Sequence, residues 1–175
     1  MRRLVAWLLY AAMMIGLSLA LLWYRGVFLP SGQSRSAALT LPGHSLTLTL
    51  QQNRFSVEEE GMQLWQSDTG LHVQDFLTCD LDRDGETELL LLTWRRGNYG
   101  PSKPFWVSRN DTGWSQHIFI YNWQNGTPVP QWMSSRLRPE VARWALHDKD
   151  QLFIVTPDGT ETLWQWGYWG LERIA

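Results

Sequence analysis

Hydrophobic and polar positions divide this chain near residue 30. Leu4–Trp23 run for twenty residues without a charge, between a basic start at Met1–Arg3 and the sequence Tyr24-Arg25-Gly26. At about 1.5 Å rise per residue, such a run forms a helix of about 30 Å, the thickness of a bilayer's hydrocarbon core. Beyond a short Pro/Gly/Ser linker, Phe28–Ser36, the period changes from helical to two. Leu46-Thr47-Leu48-Thr49-Leu50 alternates strictly, and Ala38–Leu41 does so across a Pro42-Gly43 turn. Arg54–Val57 and Gln63–Gln66 flank Glu58–Gly61 as a hairpin. Val73–Cys79 leads into an acidic loop, and the nearly all-apolar Leu89–Trp94 leaves it, as expected of a central strand covered on both faces. His117–Trp123, Val129–Met133, Gln151–Thr156 and Thr162–Trp166 are further strands, with turn residues at Gln124-Asn125-Gly126 and Asp158-Gly159. Pro139–Leu146 is the one later segment with helical character. The pattern predicts an all-β domain after one N-terminal transmembrane helix.

The apolar start has two readings. A cleaved signal peptide would use Ser18-Leu19-Ala20 as its small-residue site, but Leu21-Leu22-Trp23 carries the apolar run past it. The uncleaved anchor therefore fits better, and both readings export the remainder. Arg2 and Arg3 favour a cytoplasmic N-terminus, with the C-terminal domain extracytoplasmic on a single-pass cell-membrane protein. The expected boundaries are 1–27 for the anchor, 28–36 for the linker and 37–175 for the β-domain.

Charge narrows the range of partners. Of 15 basic and 17 acidic residues, the first thirty hold three arginines and no acid, which leaves 12 and 17 in the exported part. A mildly acidic body argues against nucleic acid, whose phosphates require a basic face. Cys79 is the only cysteine, so no intrachain disulfide forms, and Leu77 and Leu81 beside it point to burial. Ten of the twelve tryptophans follow the anchor; most are expected to fill the core and pack the sheets.

The sharpest motif is Asp80-Leu81-Asp82-Arg83-Asp84-Gly85-Glu86-Thr87-Glu88, with acids at positions 1, 3, 5 and 9 and glycine at 6. Calcium takes about six to eight oxygens, and a curled loop aims alternate carboxylates inward while glycine permits the sharp turn. Asp80, Asp82, Asp84 and Glu88 are the expected side-chain ligands, with the Glu86 carbonyl adding a backbone oxygen. An EF-hand needs an acid at the twelfth position, where this chain has Leu91, and a helix before the loop, where it has a strand pattern.

Asp-x-Asp-x-Asp-Gly-x-x-Glu followed by Leu89–Leu92 resembles the FG-GAP or VCBS-type repeat of integrin-α-like β-propellers. Gly61-Met62-Gln63-Leu64-Trp65 through Val73 is similar to the inner strands and turn of such a blade. The resemblance is best over residues 54–94. It implies partial β-propeller-like blades, about two to three antiparallel sheets, with a structural Ca²⁺ at Asp80, Asp82, Asp84, Glu86 and Glu88. A fainter internal repeat sets Gly61, Trp65, Val73, Asp80–Asp82 and Leu89–Leu92 against Gly126, Trp132, Val141, Asp148–Asp150 and Leu152–Val155. The second acidic pair lacks the glycine and later acid of the first, and is expected to be a plain turn.

Other constellations are weaker. Arg95–Trp114 is a long, aromatic and basic connection, and long connections are often functional. Arg95, Arg96, Tyr99, Lys103 and Trp106 are its candidate ligand-binding residues. Trp164, Trp166, Tyr168 and Trp169 form a second aromatic cluster, expected to close the core. The four histidines have no metal-ligand spacing, and no catalytic motif is present. The expectation is a non-enzymatic, calcium-binding module that meets a protein or glycan at the cell envelope. Its partners would be an envelope protein, a polysaccharide or a second copy of itself. The alternative is an enzyme or accessory subunit acting on cell-wall or capsule polysaccharide.

Overall fold

The computed structural model describes residues 2–97, 105, 108 and 112–175. Residues up to Pro30 form one unit and Ser31–Ala175 a second. The first contains helix α1, Arg2–Tyr24, which is long and apolar enough to cross a membrane. Its 23 residues extend about 35 Å.

The second unit is built from three antiparallel sheets of four strands each, every one a simple meander. The first comprises β1 (Arg35–Leu41), β2 (His44–Gln51), β3 (Arg54–Glu59) and β4 (Met62–Gln66). The middle sheet comprises β5 (Leu71–Cys79), β6 (Glu88–Arg96), β7 (Trp114–Gln124) and β8 (Thr127–Met133). The third comprises β9 (Arg143–His147), β10 (Gln151–Val155), β11 (Glu161–Gly167) and β12 (Gly170–Arg173). Sequential pairing keeps each connection short. At three hairpins, Gln52-Asn53, Glu60-Gly61 and Asn125-Gly126, both turn residues have positive φ, the twist that matches paired strands. These are the propeller-like blades expected from the sequence, and they form no closed barrel.

Two apolar clusters hold the stack together. Leu46, Leu48, Leu50, Phe55 and Val57 of the first sheet meet Val73, Phe76, Leu89, Leu91 and Tyr121 of the middle one. Leu90, Leu92, Ile118 and Ile120, from the opposite face of the middle sheet, meet Trp144, Leu152 and Ile154 of the third. Alternate leucines of β6 thus enter different cores, and Leu89, Leu90 and Leu91 are fully buried. The apolar run expected of a strand covered on both faces is that strand. The outward face of the first sheet is rich in hydroxyls instead, with Thr40, Ser45, Thr47 and Thr49 opposite the buried leucines of β2. Three buried polar side chains at the start of β7, Ser115, Gln116 and His117, find partners. Gln116 Nε2 donates to Gln74 Oε1 (2.8 Å) and the Val141 carbonyl (3.0 Å), while its Oε1 accepts from Val141 N–H (2.6 Å). His117 Nδ1 lies 3.0 Å from the Ser134 carbonyl and its Nε2 2.8 Å from Ser115 Oγ. These bonds fasten the β8–β9 connection to the middle sheet.

Residues 139–146 are not helical. Pro139–Ala142 are irregular and Arg143–His147 form β9, which pairs with β10 at Leu146↔Leu152 and Trp144↔Ile154. The apolar spacing that imitates a helix is met by strand pairing, which buries Trp144 against the middle sheet and lets its indole N–H donate to Asp75 Oδ2 at 2.7 Å. Strand β1 begins at Arg35, inside the expected linker. The faint repeat has a structural basis. Asp80–Asp82 and Asp148–Asp150 both join the first and second strands of a sheet, and Trp65 and Trp132 both lie on fourth strands.

Candidate metal centre

The acidic loop connects β5 to β6, and both flanking strands are deep in the stack. Asp80, Asp82, Asp84 and Glu88 each offer a carboxylate oxygen, and these atoms all lie within 4.8 Å of one another. Local hydrogen bonds shape the curl. Asp80 Oδ2 accepts from Gly85 N–H (3.1 Å), Asp82 Oδ1 from Asp84 N–H (3.3 Å) and Asp84 Oδ1 from Glu86 N–H (2.8 Å). Gly85 has φ +91° with open space around its α-carbon, so the backbone conformation, not crowding, demands glycine there. Arg83 also takes a left-handed φ, +65°, an uncommon conformation for a side chain with a Cβ.

Glu88 is the buried member. It is 1% exposed, at the first residue of β6, and its Oε2 accepts from Leu81 N–H at 2.6 Å. Burial pushes its carboxyl up to about 7, with the charges of Asp82, Asp84 and Asp80 adding to the effect and the Leu81 N–H opposing it. Asp80 Oδ1 is buried with no hydrogen-bond partner among the described residues. A buried acceptor with no such partner, beside a carboxylate pushed toward its neutral form, leaves the negative charge of the loop uncompensated by the protein's own groups. The residues present fit a hard divalent ion of calcium's kind: all donors are oxygen and four are carboxylates.

Two neighbours brace the loop. Gln131 of β8 donates from Nε2 to Asp82 Oδ2 at 3.2 Å, and Arg83 forms an ion pair with Asp150 in the β9–β10 turn. Sequence reasoning missed both residues. Asp150 left a signal in the repeat spacing; Gln131, brought in by the β7–β8 hairpin, left none. Asp148–Asp150 is a turn, as expected, and its acid anchors the neighbouring sheet's loop. Glu86 is exposed and its carboxylate lies outside the cluster. Cys79 is buried beside the loop, and burial, reinforced by Glu88, Asp80 and Asp150, pushes its thiol up to about 12. Such a thiol is not a nucleophile at neutral pH.

The candidate ligand loop is only partly brought into view. Arg95 and Arg96 end β6 rather than starting a loop. Arg95 Nη1 is 3.2 Å from Met133 Sδ, while Arg96 donates to the Thr112 carbonyl and lies 5.7 Å from the Trp114 ring centroid. Tyr99, Lys103 and Trp106 lie outside the described residues. Trp164 and Trp166 pack on the second core cluster, as expected, but Tyr168 and Trp169 are more than four-fifths exposed at the β11–β12 turn. No family model, curated protein or solved structure matches this chain.

Proposed function

We propose that this protein is a membrane-anchored, extracytoplasmic module that binds Ca²⁺ in the β5–β6 loop and uses its stacked sheets to engage a protein or glycan at the cell envelope. One observation carries the reading: four carboxylates from nine residues converge within 4.8 Å, and a buried oxygen of Asp80 among them has no hydrogen-bond partner among the described residues. Uncompensated, such a group repels itself; a divalent ion converts the repulsion into cross-links between the ends of β5 and β6. The role is structural and non-catalytic, with ligand oxygens supplied by the chain. α1 supports the anchor, and the basic residues before it favour a cytoplasmic N-terminus.

Thermal unfolding of the detergent-solubilised full chain tests the metal. Extracellular calcium modules bind with a Kd of about 10⁻⁴–10⁻³ M, and at a hundredfold excess the linkage is worth about 2.7 kcal/mol. Calcium at about 10 mM, tenfold to a hundredfold above such a Kd, should therefore raise Tm by roughly 3–10 °C for a domain of this size. Asp82→Ala should remove the increment. An unchanged calcium response in that variant would exclude the loop. Retention in the carbonate-washed membrane pellet, with the C-terminus open to external protease, tests the anchor and its orientation.

A further inference from the structure

Away from the acidic loop, a cavity of about 630 Å³ lies between the middle and third sheets. Its size falls within the range of about 300–1,000 Å³ typical of small-molecule sites. Ile118, Val141 and Ile154 are its buried apolar residues. Trp132 and Trp164 line it half-buried, and both indole N–H groups are already committed. Trp132 Nε1 donates to the Trp169 carbonyl (3.1 Å) and Trp164 Nε1 to Thr162 Oγ1 (2.9 Å). The rings therefore offer a ligand apolar surface rather than donors, with part of the Trp132 ring already packed against Gly170 and Trp166.

The polar residues of the cavity are unbalanced in charge. Arg136, Arg138 and Arg173 contribute three guanidinium groups against the single carboxylate of Asp158. That carboxylate is held locally, accepting from Thr156 Oγ1 and from Thr160 N–H at 3.1 Å. Arg173 Nε donates to the Ala175 carbonyl at 3.1 Å. Arg138 is exposed and forms no ion pair with a described residue. Ser135 and Thr160 add exposed hydroxyl-bearing side chains.

We propose that this cavity binds an acidic saccharide, with a uronate ring against the tryptophan surfaces and its carboxylate on Arg138. Arg138 favours an acidic sugar over a neutral one, since an exposed guanidinium pairs best with a carboxylate in bidentate geometry. An acyl chain would match the apolar floor but would desolvate Ser135 and the Arg138 guanidinium without giving them partners. A sugar ring satisfies both demands, apolar C–H faces on aromatic carbon and hydroxyls on the polar rim. The proposal deepens the glycan branch of the reading above and does not depend on the calcium loop.

Isothermal titration of the detergent-solubilised full chain with trigalacturonate tests it, run in calcium and again in chelator so that failure of the metal site registers separately. Trigalacturonate should bind, and its methyl ester at least about tenfold more weakly, the usual worth of a charge-assisted pair. Arg138→Gln should weaken the acid at least about tenfold with Tm unchanged, whereas Arg143→Gln, outside the cavity, should leave affinity intact. No heat with trigalacturonate, equal affinity for acid and ester, or tighter binding of oleate at the same site would each overturn the assignment.

Discussion

Truncating adjacent leucines on β6 should damage two different cores, and the pair measures whether the middle sheet is covered on both faces. Leu90 and Leu91 are each 0% exposed, yet they belong to separate apolar clusters. A Leu→Ala change removes the transfer free energy of the lost carbons and leaves a cavity that its neighbours only partly fill, typically about 2–5 kcal/mol. Strand β6 is hydrogen-bonded on both edges, to β5 and β7, so its backbone cannot shift to close the gap. The expected cost is thus in the upper part of that range, about 3–4 kcal/mol for either variant. At about 2–4 °C per kcal/mol for a domain of this size, Tm should fall by roughly 6–16 °C. Val129→Ala, at a position 39% exposed on β8, is the control and should cost under about 0.5 kcal/mol. Urea unfolding followed by tryptophan fluorescence, with parent-like m-values, gives the differences directly. If either leucine variant cost less than about 1 kcal/mol, that face of β6 would be open to solvent and the three-layer stack would be wrong.

Glu88→Gln should act in opposite directions with and without metal. It should abolish the calcium increment in Tm, yet at pH 8 in chelator it should melt above the parent by the equivalent of about 1–3 kcal/mol. The parent carboxyl is raised in the folded state from 4.5 to about 7, so that advantage should be absent below pH 4.5 and grow as pH rises through 7. A variant melting below the parent in chelator at pH 8 would contradict this. His117 governs the acidic side. Burial holds its imidazole below the ordinary 6.5, so the folded protein keeps it neutral while the unfolded chain takes up a proton. Stability should fall as pH drops below about 6.5, by at most about 1.4 kcal/mol per unit from this group, until the folded imidazole also protonates. His117→Gln should flatten the stability slope between pH 7 and 5, whatever its offset at pH 7. Some slope should remain, because burial and Arg54 shift His72 in the same direction. An identical slope in the variant would remove His117 from the account.

Local chemistry alone determined much of this protein. An uncharged run of twenty residues can only be helix in an apolar surrounding, because every backbone group must be satisfied within the segment, and α1 occupies it. Period-two alternation marked β2, and the unbroken leucines of β6 announced two buried faces, since a strand has no other use for apolar residues on both sides. The acidic spacing in Asp80–Glu88 located the candidate metal centre because its ligands are nearly contiguous. The short strands β9 and β12 were not legible. Trp144 and Leu146 can serve a helix or a strand equally, and only pairing with β10 settles which. Contacts between sheets left little trace as well. The bond from Gln131 to Asp82 and the ion pair of Arg83 with Asp150 join residues 49 and 67 apart. The same holds for the arginine-lined cavity, whose walls come from two sheets. Sequence periodicity reports which face of an element is apolar, but the face it meets is chosen by packing across the whole stack.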